Sequence, residues 1–145
     1  MFRPATAIAP DVTETVTKSI RDHRKYLTSG SRYISAHHTA EETVGRFSAV
    51  ADAVVEAELR ITFSKRYGRG ANWDREEHTV QFAAAAQCTG HGCTAPRHEV
   101  PATGVFLLDA DADETAPAAL PLVAEARAWA QKHAETCRAL PYDGR

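Results

Sequence analysis

Apolar residues follow a helical spacing at the start of this 145-residue chain. Val12, Val16, Ile20 and Leu27 lie at intervals that place them on one face of a helix. We therefore expect an amphipathic helix with Asp11 as its N-cap and Gly30 as its stop.

A second helical pattern follows a short polar stretch. Thr39 and Glu42 have the spacing of a capping box, in which the two residues satisfy each other's backbone donors at a helix start. Apolar residues then recur on one side, at Val44, Phe47, Val50, Ala51, Val54 and Val55. We expect a second helix from Thr39 to Glu58, so that residues 1–58 are mainly helical.

From residue 59 onward, apolar residues recur at every second position. Apolar and polar residues alternate over 59–67 and again over 78–87, which is typical of strands with one buried face. The two segments are expected to pair as a hairpin, and residues 97–100 and 104–108 are further candidate strands.

The last segment returns to a helical period. Pro121 suits the first turn of a helix, because its missing N–H is not needed there. One face of the predicted helix carries Leu122, Ala126, Trp129, His133, Cys137 and Leu140. The sequence thus predicts one α+β domain over residues 1–145. Residues 1–58 would form the N-terminal helices, and residues 59–145 a small, mainly antiparallel sheet followed by a C-terminal helix.

Composition narrows the class of protein. The hydrophobic share of 43% and the charged share of 25% are ordinary for a globular domain. No apolar run is long enough for a membrane span, and the start lacks the apolar core of a secretory signal. We expect a cytoplasmic protein with no membrane partner. Net charge is +3 over residues 1–70 and −5 over 71–145, so the N-terminal half is mildly basic.

Three cysteines and one histidine form the clearest chemical pattern. Cys88 and Cys93 flank a glycine-bearing loop, and His133 and Cys137 follow with a spacing of four. Three thiolates and one imidazole are the ligands of a closed, structural zinc site. The sequence predicts one structural zinc ion that clips the C-terminal helix to the loop, in a zinc-finger-like ββα unit.

Other assignments of these residues stay open. The cysteines could be small buried apolar side chains, with His133 a hydrogen-bonded core histidine. Alternatively, His91 or His98 could replace one of the four zinc ligands. Cys93 could also act as a nucleophile with His98 as its base.

A resemblance covers roughly residues 78–142. The strand Val80-Gln-Phe-Ala, the cysteine pair and the segment Trp129-Ala-Gln-Lys-His133-Ala-Glu-Thr-Cys137-Arg-Ala-Leu-Pro-Tyr142 are similar to small actinobacterial zinc-knuckle proteins of unknown function. Cys137 stands where those proteins are expected to have a second histidine, and residues 94–117 resemble an insertion. The resemblance implies zinc binding and no activity.

These observations favour a non-catalytic, zinc-stabilised binding or regulatory protein. Its partner would be a protein or a nucleic acid, and a homodimer is an open alternative. A nucleic-acid binder could use the basic N-terminal half and a predicted hairpin loop with Arg66, Arg69, Trp73 and Arg75. A cysteine- or zinc-dependent enzyme is the other alternative, although none of the common catalytic motifs is present.

Overall fold

A computed structural model describes residues 9–28, 37–67, 76–108 and 112–141. Helix α1 spans Ala9–Thr28, and the strands β1 and β2 span His37–Ser48 and Val54–Tyr67. Strand β3 is Glu76–Cys88, and three short strands follow: β4 (Gly90–His91), β5 (Arg97–Val100) and β6 (Phe106–Leu107). The described chain ends with α2 (Ala112–Thr115), a 3₁₀ turn (Ala116–Ala119), α3 (Leu120–Thr136) and β7 (Leu140–Pro141). The predicted α+β class is confirmed.

The long strands form one antiparallel sheet in the order β1-β2-β3-β5, with β6 also paired to β3. The predicted hairpin of β2 and β3 is confirmed, and its register pairs Ile61 with Phe82 and Leu59 with Ala84. Because side chains alternate across a strand, these residues share the face that α1 and α3 cover. The sheet therefore has one covered apolar face and one polar open face.

The predicted helix from Thr39 to Glu58 is wrong. This stretch contains most of β1, a turn and the start of β2. A β-bulge between Thr43 and Gly45 shifts the alternation of apolar residues by one. The turn, closed by the Ala49 N–H on the Ala53 carbonyl, adds an exposed apolar side chain at Val50. The bulge and this turn residue made a strand period look helical.

The residues assigned to that helix belong to β1, to β2 or to the turn between them. The Thr39 hydroxyl lies 3.3 Å from the Thr62 hydroxyl across the β1–β2 pair, so Thr39 is not a helix cap. Val50, placed on the apolar face by helical spacing, is 54% exposed at the turn. The N-terminal helix is confirmed, and it extends from Ala9 to Thr28.

The C-terminal helix is also confirmed, but its buried face differs from the prediction. The residues that face the sheet are Val123, Ala126, Arg127, Ala130 and Ala134. Trp129 and His133 lie at the margin of this face and are half-buried, and Leu140 is 67% exposed. Small alanines let the helix approach the sheet, so the larger side chains are displaced to the sides.

Two arginines, one half-buried and one buried, anchor the helices to neighbouring segments. Arg24 of α1 donates from both Nε and Nη2 to the Leu108 carbonyl. Arg127 of α3, only 3% exposed, donates from Nε to the Val44 carbonyl at the bulge of β1, at 2.6 Å. Within the described ranges, no helix has the length and apolar character needed to cross a bilayer.

Candidate metal centre

The predicted zinc ligands meet near the C-terminal end of α3. Cys88 is the last residue of β3, and Cys93 follows the short strand β4. His133 lies in the last turn of α3, and Cys137 is the first residue after the helix, with extended backbone angles of −72° and 126°. The expectation that Cys137 itself is helical is therefore wrong by one residue.

The four donor atoms converge. All lie within 4.8 Å of one another. Cys137 Sγ is 3.8 Å from Cys88 Sγ and 3.9 Å from Cys93 Sγ, and Cys93 Sγ is 3.4 Å from His133 Nε2. A tetrahedral zinc site with Zn–S near ~2.3 Å and Zn–N near ~2.0 Å has S···S edges of about 3.8 Å and S···N edges of about 3.5 Å. The three observed separations match these edges.

The loop between the first two cysteines requires glycine at two positions. A side-chain carbon added to Gly90 would lie 2.6 Å from Ala139 Cβ, so the loop touches the segment after α3. Gly92 has a φ of +78°, which most L-residues adopt only with strain. The Gly90 N–H also donates to Cys88 Sγ at 3.3 Å, as expected of a thiolate-bearing turn. The glycines seen in the sequence therefore serve close approach and turn geometry.

Backbone pairing joins the two ligand-bearing segments. Strands β4 and β7 form a small antiparallel ladder in which Gly90 faces Pro141 and His91 faces Leu140. Thr89, beside Cys88, donates its N–H and hydroxyl to the Val54 carbonyl at 2.9 Å. This ladder could not be predicted from the sequence, because two-residue strands carry no periodic pattern.

A stack of flat rings orients His133. Trp129, one turn earlier on α3, lies parallel to His133 with ring centroids 4.6 Å apart. His98 stacks on the other side of Trp129 at 5.6 Å, and its Nε2 is 3.3 Å from Glu125 Oε2. The spacing of four between Trp129 and His133 could have indicated this contact. The predicted alternative ligands His91 and His98 lie outside the converging group.

The thiolate form of Cys88 is disfavoured by its surroundings unless a cation is close. Burial, together with the thiols of Cys137 and Cys93, raises the pKa of Cys88 to about 11, although the Gly90 N–H opposes the shift. A neutral thiol is a poor metal ligand, and a metal cation inverts this preference by stabilising the thiolate. Without a cation, Cys88 would hold a protonated sulfur that makes only weak hydrogen bonds.

Among the residues predicted to bind nucleic acid, Arg66 is the one that the described part of the chain includes, and it is not part of this site. Arg66 lies near the end of β2 and forms an ion pair with Glu77 at 2.9 Å. Arg69, Trp73 and Arg75 lie outside the described residues. Their proposed role stays a prediction.

Searches of protein-family models, curated proteins and solved structures with this chain return no match. The resemblance to actinobacterial zinc-knuckle proteins therefore stays a prediction. The structure supports its coarser content, a Cys₃His group that could hold a metal ion.

Proposed function

We propose that this chain is a non-catalytic binding or regulatory protein stabilised by one structural zinc ion. Cys88, Cys93, His133 and Cys137 are its ligands. The observation that carries the proposal is the agreement of three donor separations, 3.8, 3.9 and 3.4 Å, with the edges of a zinc tetrahedron.

The donor set supports zinc in a structural role. Thiolates select soft and borderline cations over magnesium or calcium, and tetrahedral S₃N coordination suits zinc. Four protein ligands leave no position for a reactive water, which catalytic zinc sites retain. A site of this kind needs reduced thiols, which fits the proposed cytoplasmic location.

The charge pattern of the sheet supports a protein partner over a nucleic acid. By register, Glu41, Arg60 and Ala83 lie in one row of the open face. Arg60 pairs with Glu58 at 2.9 Å and with Glu99 at 3.6 Å. Nearby carboxylates, Glu58 first, raise the pKa of Arg60. Arginines already paired with glutamates are poorly suited to neutralising phosphates.

The zinc-knuckle resemblance agrees with this proposal and supplies no partner. Proposals that stay open are an actinobacterial origin and a homodimer. A binding experiment with short duplex DNA and single-stranded RNA at two salt concentrations tests the nucleic-acid alternative. Salt-sensitive binding to either probe would contradict the preference for a protein partner.

Metal analysis of the full chain tests the zinc site. The purified protein is expected to hold about one zinc ion per chain after dialysis, by the ligand count of a structural site. Cys88→Ser and His133→Ala should each lose most of the zinc and lower the melting temperature. His91→Ala is the matched control, since His91 lies in the same loop but outside the converging group.

The controls also decide between ligand sets. If His91→Ala or His98→Ala loses zinc while His133→Ala retains it, the histidine whose removal loses zinc takes the place of His133 in the ligand set. Retention of both zinc and melting temperature in Cys88→Ser would contradict the proposed site.

A further inference from the structure

The three cysteines of the cluster differ in exposure. Cys88 is 3% exposed, whereas Cys93 and Cys137 are half-buried. Cys93 and Cys137 line a surface cleft of about 320 Å³, together with His133 and the exposed residues His91 and Arg138. Cys88 does not line this cleft. A small solute can therefore approach two of the three sulfurs from solvent.

The same two cysteines lie outside helices and strands, whereas Cys88 ends the long strand β3. The backbone N–H of each cysteine is bonded: Cys88 donates to the Pro96 carbonyl at 2.6 Å, Cys137 to the His133 carbonyl at 2.8 Å and Cys93 to the Gly90 carbonyl at 3.4 Å. A disulfide needs sulfurs about 2.05 Å apart, so sulfurs now 3.9 Å apart must move toward each other by roughly 2 Å.

We propose that Cys93 and Cys137 form an oxidation site at which hydrogen peroxide closes a disulfide and releases the bound cation. This inference rests on the proposed zinc site and adds its regulation. The distances alone do not select the pair, since Cys137 Sγ is 3.8 Å from Cys88 Sγ as well. Exposure to the cleft, which Cys88 lacks, selects Cys93 as the partner of Cys137.

The step balances in atoms and electrons. One of the two cleft thiolates attacks a peroxide oxygen, the O–O bond breaks, and the thiolate becomes a sulfenic acid while hydroxide leaves as water after taking a proton. The second thiolate then attacks the sulfenic sulfur, forming the S–S bond and expelling a second hydroxide, which also takes a proton. The two sulfurs lose two electrons, and one peroxide becomes two water molecules.

The cation is released because the disulfide removes two of its four ligands. After the step, only Cys88 and His133 remain as donors, and a disulfide sulfur is a poor ligand for zinc. The reaction is reversible in principle, because a dithiol reductant restores both thiolates. Zinc occupancy would thus depend on the redox state of the surrounding solution.

The test uses zinc-loaded full-length protein and hydrogen peroxide. Released zinc is followed with a chromogenic chelator, and the disulfide is mapped by mass spectrometry. Trypsin leaves Cys88 and Cys93 on one peptide, 76–97, and Cys137 on 133–138, so fragment ions from residues 89–92 must separate the first two. The expected result is zinc release in step with a disulfide that joins Cys93 to Cys137.

A pair of ligand-type substitutions sharpens the test. Cys93→His keeps four donors but removes the cleft pair, and should release zinc about tenfold more slowly than the unaltered protein, since the remaining Cys88 is shielded. Cys88→His keeps the cleft pair, so peroxide should still produce a disulfide between Cys93 and Cys137 in this variant. If either variant does not fold, the disulfide map of the unaltered protein still decides.

The outcomes separate the two proposals. A protein that binds no zinc contradicts the metal site itself. Bound zinc that survives excess peroxide, with all three thiols still reduced, overturns only the oxidation proposal. A disulfide between Cys88 and Cys137 overturns the assignment of the pair.

Discussion

The two halves of the covered sheet face are packed with different side chains. Under α1, the core contains large residues, among them Ile20, Leu59, Ile61, Phe63 and Phe82. Under α3, next to the cysteine cluster, it consists mainly of alanines. These are Ala49, Ala53, Ala57, Ala84, Ala86, Ala126, Ala130 and Ala134.

The difference indicates which half of the core has the weaker apolar packing. A buried methylene contributes about 0.8 kcal/mol, so a methyl side chain stabilises much less than a leucine or phenylalanine. Alanines bring the backbones of α3 and the sheet close together, but they bury little apolar area per residue. We infer that the α1 half is stable through packing, and that the α3 half depends on the cation.

The largest expected effect is that of metal removal. A strong chelator should lower the free energy of unfolding by at least about 3 kcal/mol, because an ion bound only by the native state stabilises it. Hydrogen exchange should rise in 88–93 and in the last turns of α3 while α1 stays protected. Equal loss of protection in α1 and α3 would contradict the division into two halves.

Truncation in the α1 half should also have a large effect, but one independent of zinc. Phe82 is fully buried and contacts Phe106 with ring centroids 6.0 Å apart. Phe82→Ala should cost about 3–5 kcal/mol in denaturant unfolding, with zinc content unchanged. Val105→Ala, at a side chain 48% exposed, is the control and should change stability by less than about 0.5 kcal/mol. Zinc loss in Phe82→Ala would show that the halves are coupled.

A smaller effect is expected from a methyl group at the cysteine loop. Gly90→Ala places a carbon 2.6 Å from Ala139 Cβ and 3.2 Å from Cys88 Sγ, so the ladder of β4 and β7 must open. We expect a loss of about 1–3 kcal/mol together with weaker zinc binding. Gly104→Ala is the matched control, because nothing lies within 4 Å of an added carbon there. Equal zinc affinity in both variants would show that the ladder does not hold the ligands.

The smallest expected effect concerns pH in the α1 half. Burial, followed by the imidazoles of His38 and His78, lowers the pKa of His23 from 6.5. The unfolded chain then binds this proton more readily, so stability is complete above pH 6.5 and falls as the pH drops toward the lower native pKa.

A substitution isolates this pH effect. His23→Phe should reduce the loss of stability in acid. The substitution keeps a flat ring stacked on Phe63, whose ring centroid lies 4.0 Å from that of His23. Both proteins are compared in the metal-free form, because acid also displaces zinc from thiolates. An unchanged pH profile would exclude His23 as the titrating group.

Much of the fold follows from local pattern. The helical period of α1 and the alternation in β2 and β3 each reflect the one face that the element buries. Pro121 marks the first turn of α3. The failures occur where local pattern and tertiary structure disagree. A bulge and a turn within 43–53 imitated a helical period, and the outcome was decided by pairing with β2, which no local signal encodes.

The four residues of the cluster could be chosen from the sequence because their chemistry limits the alternatives. Three thiols and a histidine near glycines have few structural uses other than a metal site. The unequal exposure of the three cysteines could not be predicted in the same way. It depends on the alanine stripe of α3, which turns His133 and Trp129 to the margin of the buried face.

The ring of Trp129 against His133 gives the protein an intrinsic optical probe. Indole emission responds to the charge and mobility of a stacked imidazole, so cation binding at Nε2 should change the fluorescence of Trp129. The chain contains two tryptophans, and replacing Trp73 with phenylalanine would leave one emitter beside the site. Occupancy could then be read continuously in unlabelled protein, including during exposure to peroxide.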